Sequence, residues 1–340
     1  MKIIKNIQLA NALISKAPAI MFNSKNLTSK DKIQLSKKLA DSILKIDNVK
    51  IEVVNSEYLK NINGCLILSN HQDNRDIWAL YSALGLDIRF VAKKELFKIP
   101  LLSNFMKIGQ SYSLDREDAM ASIRTLKQAI NDINNENANT VVFPEGTRSK
   151  GPFIKEFNSG IFSIFKKCQK PIIPVYIDKS YDKNTKVIKV CIGKPIQELE
   201  IKALGTKKLK KEVTTQIYNL RKENSTEKKF RIAIVGQKEE YKKFLDTLNA
   251  QSLLESVEYI NDINELKDYD LIVIDNHEKL ENNYISKLNK YLVIDILDNK
   301  RYINNISSNV EIIKYGLENN SRDIETLLLE AFSKLTANNK

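Results

Sequence analysis

The chain has 340 residues, 42% apolar and 28% charged, with a formal net charge of +12. That length suits two domains of roughly 100–200 residues, and the balance excludes a collagen-like, low-complexity or disordered acidic chain. Three cysteines (Cys65, Cys168, Cys191) share no metal-ligand spacing, so no disulfide framework or metal site is expected and a reducing compartment suits them.

Residues 1–22 carry Ile3, Ile7, Ala10, Leu13, Ile14 and Ala17 at helical spacing, which predicts a short amphipathic helix ended or bent by Pro18. Residues 29–46 predict a second helix, with Thr28 and Asp31 placed as a capping box and Leu35, Leu39, Ile43 and Ile46 as its stripe. Residues 1–50 hold ten Lys against three Asp, so both helices suit either simple packing or contact with a membrane surface. No run approaches the ~18 apolar residues of a membrane-spanning helix.

Strand and helix then alternate. Cys65–Ser69 reads as a buried strand, Ile77–Leu84 as a helix stopped by Gly85, and Ile88–Ala92 and Ser111–Leu114 as strands. Glu117–Ile133 predicts a helix with one apolar face and an acidic start. Thr140–Phe143, Ile172–Ile177 and Lys186–Ile192 read as strands, Lys207–Lys222 as a very basic helix, and Ser225–Lys229 as a linker. Beyond it, strands at Arg231–Val235, Val257–Ile260, Leu271–Ile274, Tyr291–Ile296 and Glu311–Ile313 alternate with helical stretches, the last near Arg322–Leu335. That rhythm predicts a smaller, doubly wound, flavodoxin/receiver-like domain.

The charge divides at the same place. Residues 230–340 hold 14 Lys+Arg against 19 Asp+Glu, whereas residues 1–229 hold 40 against 23, a net of +17. A basic body suits a phospholipid surface, nucleic acid or a phosphorylated substrate, and equally a merely solvated surface. No nucleic-acid-binding motif accompanies it, so no nucleic-acid partner is expected.

Two segments follow strands directly, where open α/β sheets place their ligands. In Asn70-His71-Gln72-Asp73-Asn74-Arg75-Asp76, His71 and Asp76 meet only with His71 in a loop and Asp76 on the next helix's first turn. The carboxylate then fixes the tautomer and frees the other ring nitrogen to take a proton from a hydroxyl. A backbone-bonded His71 and a helix-capping Asp76 fit the same residues. In Phe143-Pro144-Glu145-Gly146-Thr147-Arg148-Ser149, Gly146 admits close backbone approach and Arg148 offers a fork for phosphate. Glu145 suits orienting Arg148 or accepting from a substrate hydroxyl, and a surface turn with one ion pair is the plainer alternative. Between these segments, Lys93, Lys94, Gly109, Asp115 and Arg116 form a charged stretch that reaches the same sheet edge or is simply solvated.

Together the segments resemble the glycerolipid acyltransferases, specifically the 1-acylglycerol-3-phosphate acyltransferases. Asn70, His71 and Asp76 match the family's first block; Lys93, Gly109 and Arg116 its second; Phe143 to Ser149 its third, in full; and Ile172-Ile173-Pro174-Val175 its fourth. Phe157 and Gly160 match a further Phe-x-x-Gly. A complete seven-residue match is a specific signal. Ser103 stands where relatives often have Gly, and Asn158 where many have Lys, a charge that Lys155 is placed to replace. The likeness covers roughly residues 30–222.

The resemblance implies an α/β fold with a mixed central sheet flanked by helices, and a catalytic domain over 51–224 after N-terminal helices over 1–50. It implies acyl transfer from an acyl-carrier protein or acyl-CoA to the sn-2 hydroxyl of lysophosphatidic acid, with no cofactor. His71 is then the base and Asp76 its orienter. Lys93, Arg116 and Arg148 hold phosphate, and Glu145, Gly146 and Thr147 shape the acceptor pocket. The implied location is peripheral, on the cytoplasmic face of an anionic membrane. Glycerol-3-phosphate or another lysolipid as acceptor, and a non-catalytic lipid-binding scaffold, are the alternatives.

Residues 230–340 lie outside the resemblance. Asp275 and Lys314 fall at receiver-like strand ends, but Val235-Gly236-Gln237 lacks an acidic pair for Mg²⁺, and Gly236 stands alone, so phosphoryl transfer and dinucleotide binding are not expected. His277 reads as a loop residue. The module reads as regulatory, dimerising, protein-binding or simply stabilising.

Overall fold

A computed structural model describes residues 27–99, 102–235 and 238–260, Tyr269, and three strands at Leu271–Ile274, Leu292–Asp295 and Glu311–Lys314. The helices expected over 1–22 and near Arg322–Leu335, and Gly236, Asp275 and His277, lie outside the described residues. The chain divides into two units at Ser225/Thr226, with Ser149–Phe153 grouped with the second.

The first unit is built on a seven-stranded sheet. In chain order its strands are β1 (Lys50–Val54), β2 (Cys65–Ser69), β3 (Ile88–Lys93), β4 (Tyr112–Leu114), β5 (Asn139–Val142), β6 (Ile172–Asp178) and β7 (Val187–Ile192). Their spatial order is β1-β7-β6-β2-β5-β3-β4. Only β6 and β7 pair antiparallel, so the sheet is mixed, as the resemblance implied. Central β2 is buried along its whole length. Its run Cys-Leu-Ile-Leu-Ser has no polar face because both sides of the sheet are covered.

Two apolar cores fill the two faces. Cys65 and Ile67 point to one, with Leu39, Ile43, Leu80, Phe90 and Phe105; Leu66 and Leu68 point to the other, with Ile130, Phe165, Val213 and Ile217. The first face is covered by α1 (Ser29–Ile46) and α2 (Arg75–Ala83), and the second by α4 (Ala119–Glu136), the single-turn α5 (Phe162–Phe165) and α7 (Thr206–Asn224). Thr28 and Asp31 form the expected capping box on α1. Helix α4 starts two residues later than expected because Asp118 is its cap, accepting from the Ala121 N–H at 2.9 Å.

Several elements, the single-turn α5 among them, escaped the periodicity. Strand β1 is a sheet edge with alternating exposure; α3 (Leu102–Ile108) and α6 (Glu198–Ala203) are each under eight residues. Gly64, just before β2, has φ +81°, and a Cβ there would lie 2.8 Å from the Asn137 Cα. Backbone packs against backbone at that point, and only glycine fits.

The three cysteines are buried and free. Burial holds every thiol above its ordinary range: Cys168 is pushed up to about 11 and Cys191 to about 12, and Cys65 higher still.

In the second unit, β8 (Phe230–Val235) lies between β9 (Leu254–Tyr259) and β10 (Leu271–Ile274), parallel to both. Helix α8 (Lys238–Ala250) links β8 to β9, which makes a βαβ unit. Strands β11 (Leu292–Asp295) and β12 (Glu311–Lys314) form a parallel pair.

Candidate active site

Strand β2 pairs with β5 on one side and β6 on the other, all parallel. The chain segments leaving their C-terminal ends therefore emerge side by side. The first carries His71, the second Phe143–Ser149, and the third the turn Lys179–Asp182.

His71 sits in the loop and Asp76 on the first turn of α2. Asp76 Oδ2 lies 2.7 Å from His71 Nδ1 and also accepts the backbone N–H groups of Gln72 and Asp73, at 2.7 and 2.9 Å. One oxygen thus folds the loop back on the helix and orients the ring. With Nδ1 on the carboxylate, Nε2 is the nitrogen left for a substrate. The His71 ring stacks on Phe143, with centroids 4.0 Å apart and planes 13° from parallel.

Loop neighbours clamp it to β6. The Asn70 side chain donates to the Ile177 carbonyl at 2.9 Å and accepts the Ile177 N–H at 2.7 Å. Gln72 Oε1 accepts the N–H and hydroxyl of Ser180 at 3.1 and 3.2 Å. The buried Arg75 donates from Nε to the Ser180 carbonyl and from Nη2 to that of Asp182, each at 2.7 Å. Gln72, Arg75 and this turn were not singled out from the sequence. Their only signal is that Gln72 and Arg75 occupy open positions within the first block.

Glu145 acts differently from the sequence expectation. Its Oε1 accepts the His71 N–H at 2.6 Å and its Oε2 the Lys155 N–H at 2.9 Å. It does not pair with Arg148, whose Nη1 donates instead to Asn74 Oδ1 at 2.9 Å. Burial pushes the Glu145 carboxyl up to about 8, against the two N–H groups. Gly146 turns the chain with φ +72°, a conformation L side chains rarely adopt. Thr147 Oγ1 accepts from Lys155 Nζ at 3.3 Å, which puts that cation beside the third block, while Asn158 caps the Gly160 N–H.

The second block lines the same edge. Lys93 ends β3, with Nζ 3.5 Å from Glu95. Lys94 is drawn away by Asp115 at 2.8 Å and Glu117 at 3.5 Å. Arg116 lies two residues past β4. Partial desolvation lowers its pKa; Glu95 opposes that shift and the like charge of Arg148 adds to it. The Arg116 and Arg148 guanidiniums are thus near enough to repel one another. Among the described residues, no three His, Cys, Asp or Glu are gathered as for a metal.

Known proteins are similar to this chain. Residues 50–178 match the family model described as Acyltransferase. An uncharacterised acyltransferase of Schizosaccharomyces pombe is 30% identical over 45% of this chain and 58% of its own length. The 1-acyl-sn-glycerol-3-phosphate acyltransferase of Haemophilus influenzae is 31% identical over 36% of this chain and 52% of its own. The chain thus spans about half the length of these curated relatives. The crystal structure of the 1-acyl-sn-glycerophosphate acyltransferase from Thermotoga maritima superposes with a TM-score of 0.53 at 21% identity, covering 65% of this chain and 97% of that one, a likeness of fold. The family resemblance read from the motifs is thereby shown.

Proposed function

We propose, from the match of residues 50–178 to the family model described as Acyltransferase, that this protein transfers a fatty acyl group from an acyl thioester to the sn-2 hydroxyl of lysophosphatidic acid, giving phosphatidic acid. The observation that carries the reading is the oriented His71–Asp76 pair, 2.7 Å apart, at the same strand ends as Arg116 and Arg148.

In this reading His71 Nε2 takes the acceptor hydroxyl proton as its oxygen attacks the thioester carbonyl carbon. The tetrahedral intermediate collapses by breaking the C–S bond, and the imidazolium returns the proton to the departing thiolate. Asp76 holds the tautomer and stabilises the charge that forms; one such base contributes roughly 10²–10⁴-fold. Arg116, Arg148 and Lys93 bind the acceptor's phosphate. Gly146 and Thr147 line its pocket, and Glu145 holds the His71 backbone beside it. The thioester is already activated, so positioning contributes the remainder.

The setting follows from the substrate. Lysophosphatidic acid resides in membranes, and the basic first 229 residues suit peripheral attachment to an anionic cytoplasmic leaflet. Among the described residues, no helix is long and apolar enough to cross a membrane. The donor is acyl-carrier protein or acyl-CoA. The parallel strands after Phe230 suit a flavodoxin-like module that binds a protein partner.

The test is phosphatidate formation from lysophosphatidate on anionic vesicles, with acyl-CoA and acyl-carrier-protein thioesters, beside His71→Ala. Product from the unaltered protein alone supports the reading. Product only from glycerol-3-phosphate moves the acceptor, and vesicle binding without thioester consumption favours a scaffold.

A further inference from the structure

We infer that Phe143 tunes the general base: its ring face stabilises the imidazolium form of His71 by a cation–π interaction, which makes it a positioning residue for the proton transfer. The inference rests on the reading of His71 as the base. It starts from a contact that base assignment alone does not require, the face-to-face stack at 4.0 Å and 13°.

The stacking geometry has a direction. Two neutral rings gain least from a parallel face-to-face arrangement, because their quadrupoles repel. A cation over the same face is attracted, within about 6 Å of the centroid. The arrangement therefore favours His71 more when it is protonated than when it is neutral. The proton arrives as the transition state forms, so the contact strengthens along the reaction.

Phe143 is held in place for this. Phe90, almost wholly buried, stacks on it at 6.2 Å and 23°. Tyr81 meets Phe90 edge-on at 5.1 Å, and Phe105 meets Tyr81 at 5.4 Å. A column of rings thus runs from His71 into one of the two cores. The sequence couples the parts simply: Phe143 is the first residue after β5, and Glu145, two residues on, holds the His71 backbone. The loop that supplies the ring also sets the height of the imidazole above it.

Several charged groups surround His71. Asp76 faces Nδ1 from α2, and Glu145 faces the backbone N–H from the β5 loop. Arg148 is held on Asn74, Lys155 beside Thr147, and Arg75 and Lys183 flank Asp73. None of these changes when only the electron density of ring 143 is altered.

The experiment replaces Phe143 in the full chain with mono-, di- and trifluorinated phenylalanines, which withdraw charge from the ring face at nearly constant shape. Phe143→Tyr and Phe143→Leu complete the series. The His71 pKa is read by NMR of histidine-labelled protein, in which the only other imidazole is His277; His71→Ala assigns the signals. The expected result is a stepwise fall across the series, reaching roughly 0.5–1 unit in Phe143→Leu, with Phe143→Tyr close to the unaltered protein. The acidic limb of the pH–rate profile, where a general base loses its proton, should move with it. An invariant His71 pKa across the fluorinated series overturns the inference, whatever happens to turnover. A falling pKa beside a His71→Ala variant that still turns over keeps the stacking effect and removes the base assignment. If Phe143→Leu does not fold, the fluorinated series decides alone.

Discussion

Glu145 accepts the backbone N–H of His71 at 2.6 Å, so a side chain of the third motif fastens the main chain of the first. Its other oxygen holds the Lys155 N–H at 2.9 Å. One carboxylate thereby joins two loops 74 residues apart at one end and 10 at the other.

Glu145→Gln keeps the shape but offers a single carbonyl oxygen to two N–H groups. One of them loses its acceptor, at a cost of about 1–3 kcal/mol. Urea unfolding should reveal that loss, and kcat should fall because His71 is less firmly seated. An unchanged midpoint and unchanged kcat would refute the fastening role.

The same residue sets a pH signature. Burial raises the folded-state pKa of Glu145 from an ordinary 4.5 to about 8. The folded state then binds the proton more tightly than the unfolded chain, so this group's contribution to stability declines as pH rises from about 4.5 to about 8. Urea midpoints measured across that window should decline less steeply in Glu145→Gln than in the unaltered protein. Parallel slopes would show that the carboxyl does not titrate as stated.

Asp76→Asn removes the negative charge beside His71. Its Oδ2 serves Nδ1 and two backbone N–H groups at once, and an amide oxygen in that place accepts them without the charge that stabilises the imidazolium. Turnover should fall by roughly 10²–10⁴-fold, with little change in the KM for either substrate. A KM effect alone, measured by steady-state kinetics, would assign Asp76 to binding instead.

Arg75 tests the clamp. Arg75→Met leaves the Ser180 and Asp182 carbonyls without their charged donor, and losing hydrogen bonds of that kind costs about 1.5–3 kcal/mol each. Stability should drop measurably by urea unfolding, and kcat should drop beyond what the unfolded fraction explains. Arg75→Lys, which retains a charge but not the fork, should recover only part of either.

Three cations at the acceptor edge should separate in acceptor KM. Arg148→Ala should raise it about 10- to 100-fold, the equivalent of about 1.5–3 kcal/mol. Lys93→Ala should have a smaller effect in the same direction. Lys94→Ala should move it less than about threefold, because Asp115 and Glu117 already hold that ammonium. A larger effect at Lys94 than at Lys93 would reverse the assignment of the two lysines.

The His71–Asp76 contact was legible because both partners lie within one strand–loop–helix passage, where spacing alone dictates whether they can meet. The fastening role of Glu145 was not, because its partners are backbone N–H groups, which carry no side-chain signature. Gln72 and Arg75 were hidden for the same reason, with acceptors and donors more than 100 residues away. Strand β2 was visible as an unbroken apolar run, whereas β1, which mixes polar and apolar residues at a sheet edge, was not singled out. The mixed sheet came from the family likeness; periodicity cannot tell that β7 runs against β6.

The burial of Cys65, Cys168 and Cys191 has a practical reach. Thioester transfer releases a free thiol, and a disulfide reagent such as dithionitrobenzoate reports that thiol by colour. A protein whose own sulfhydryls are enclosed and held protonated well above neutral pH reacts sluggishly with such reagents. In a test of the proposed transfer, released carrier thiol can therefore be followed continuously, with little background from the protein itself.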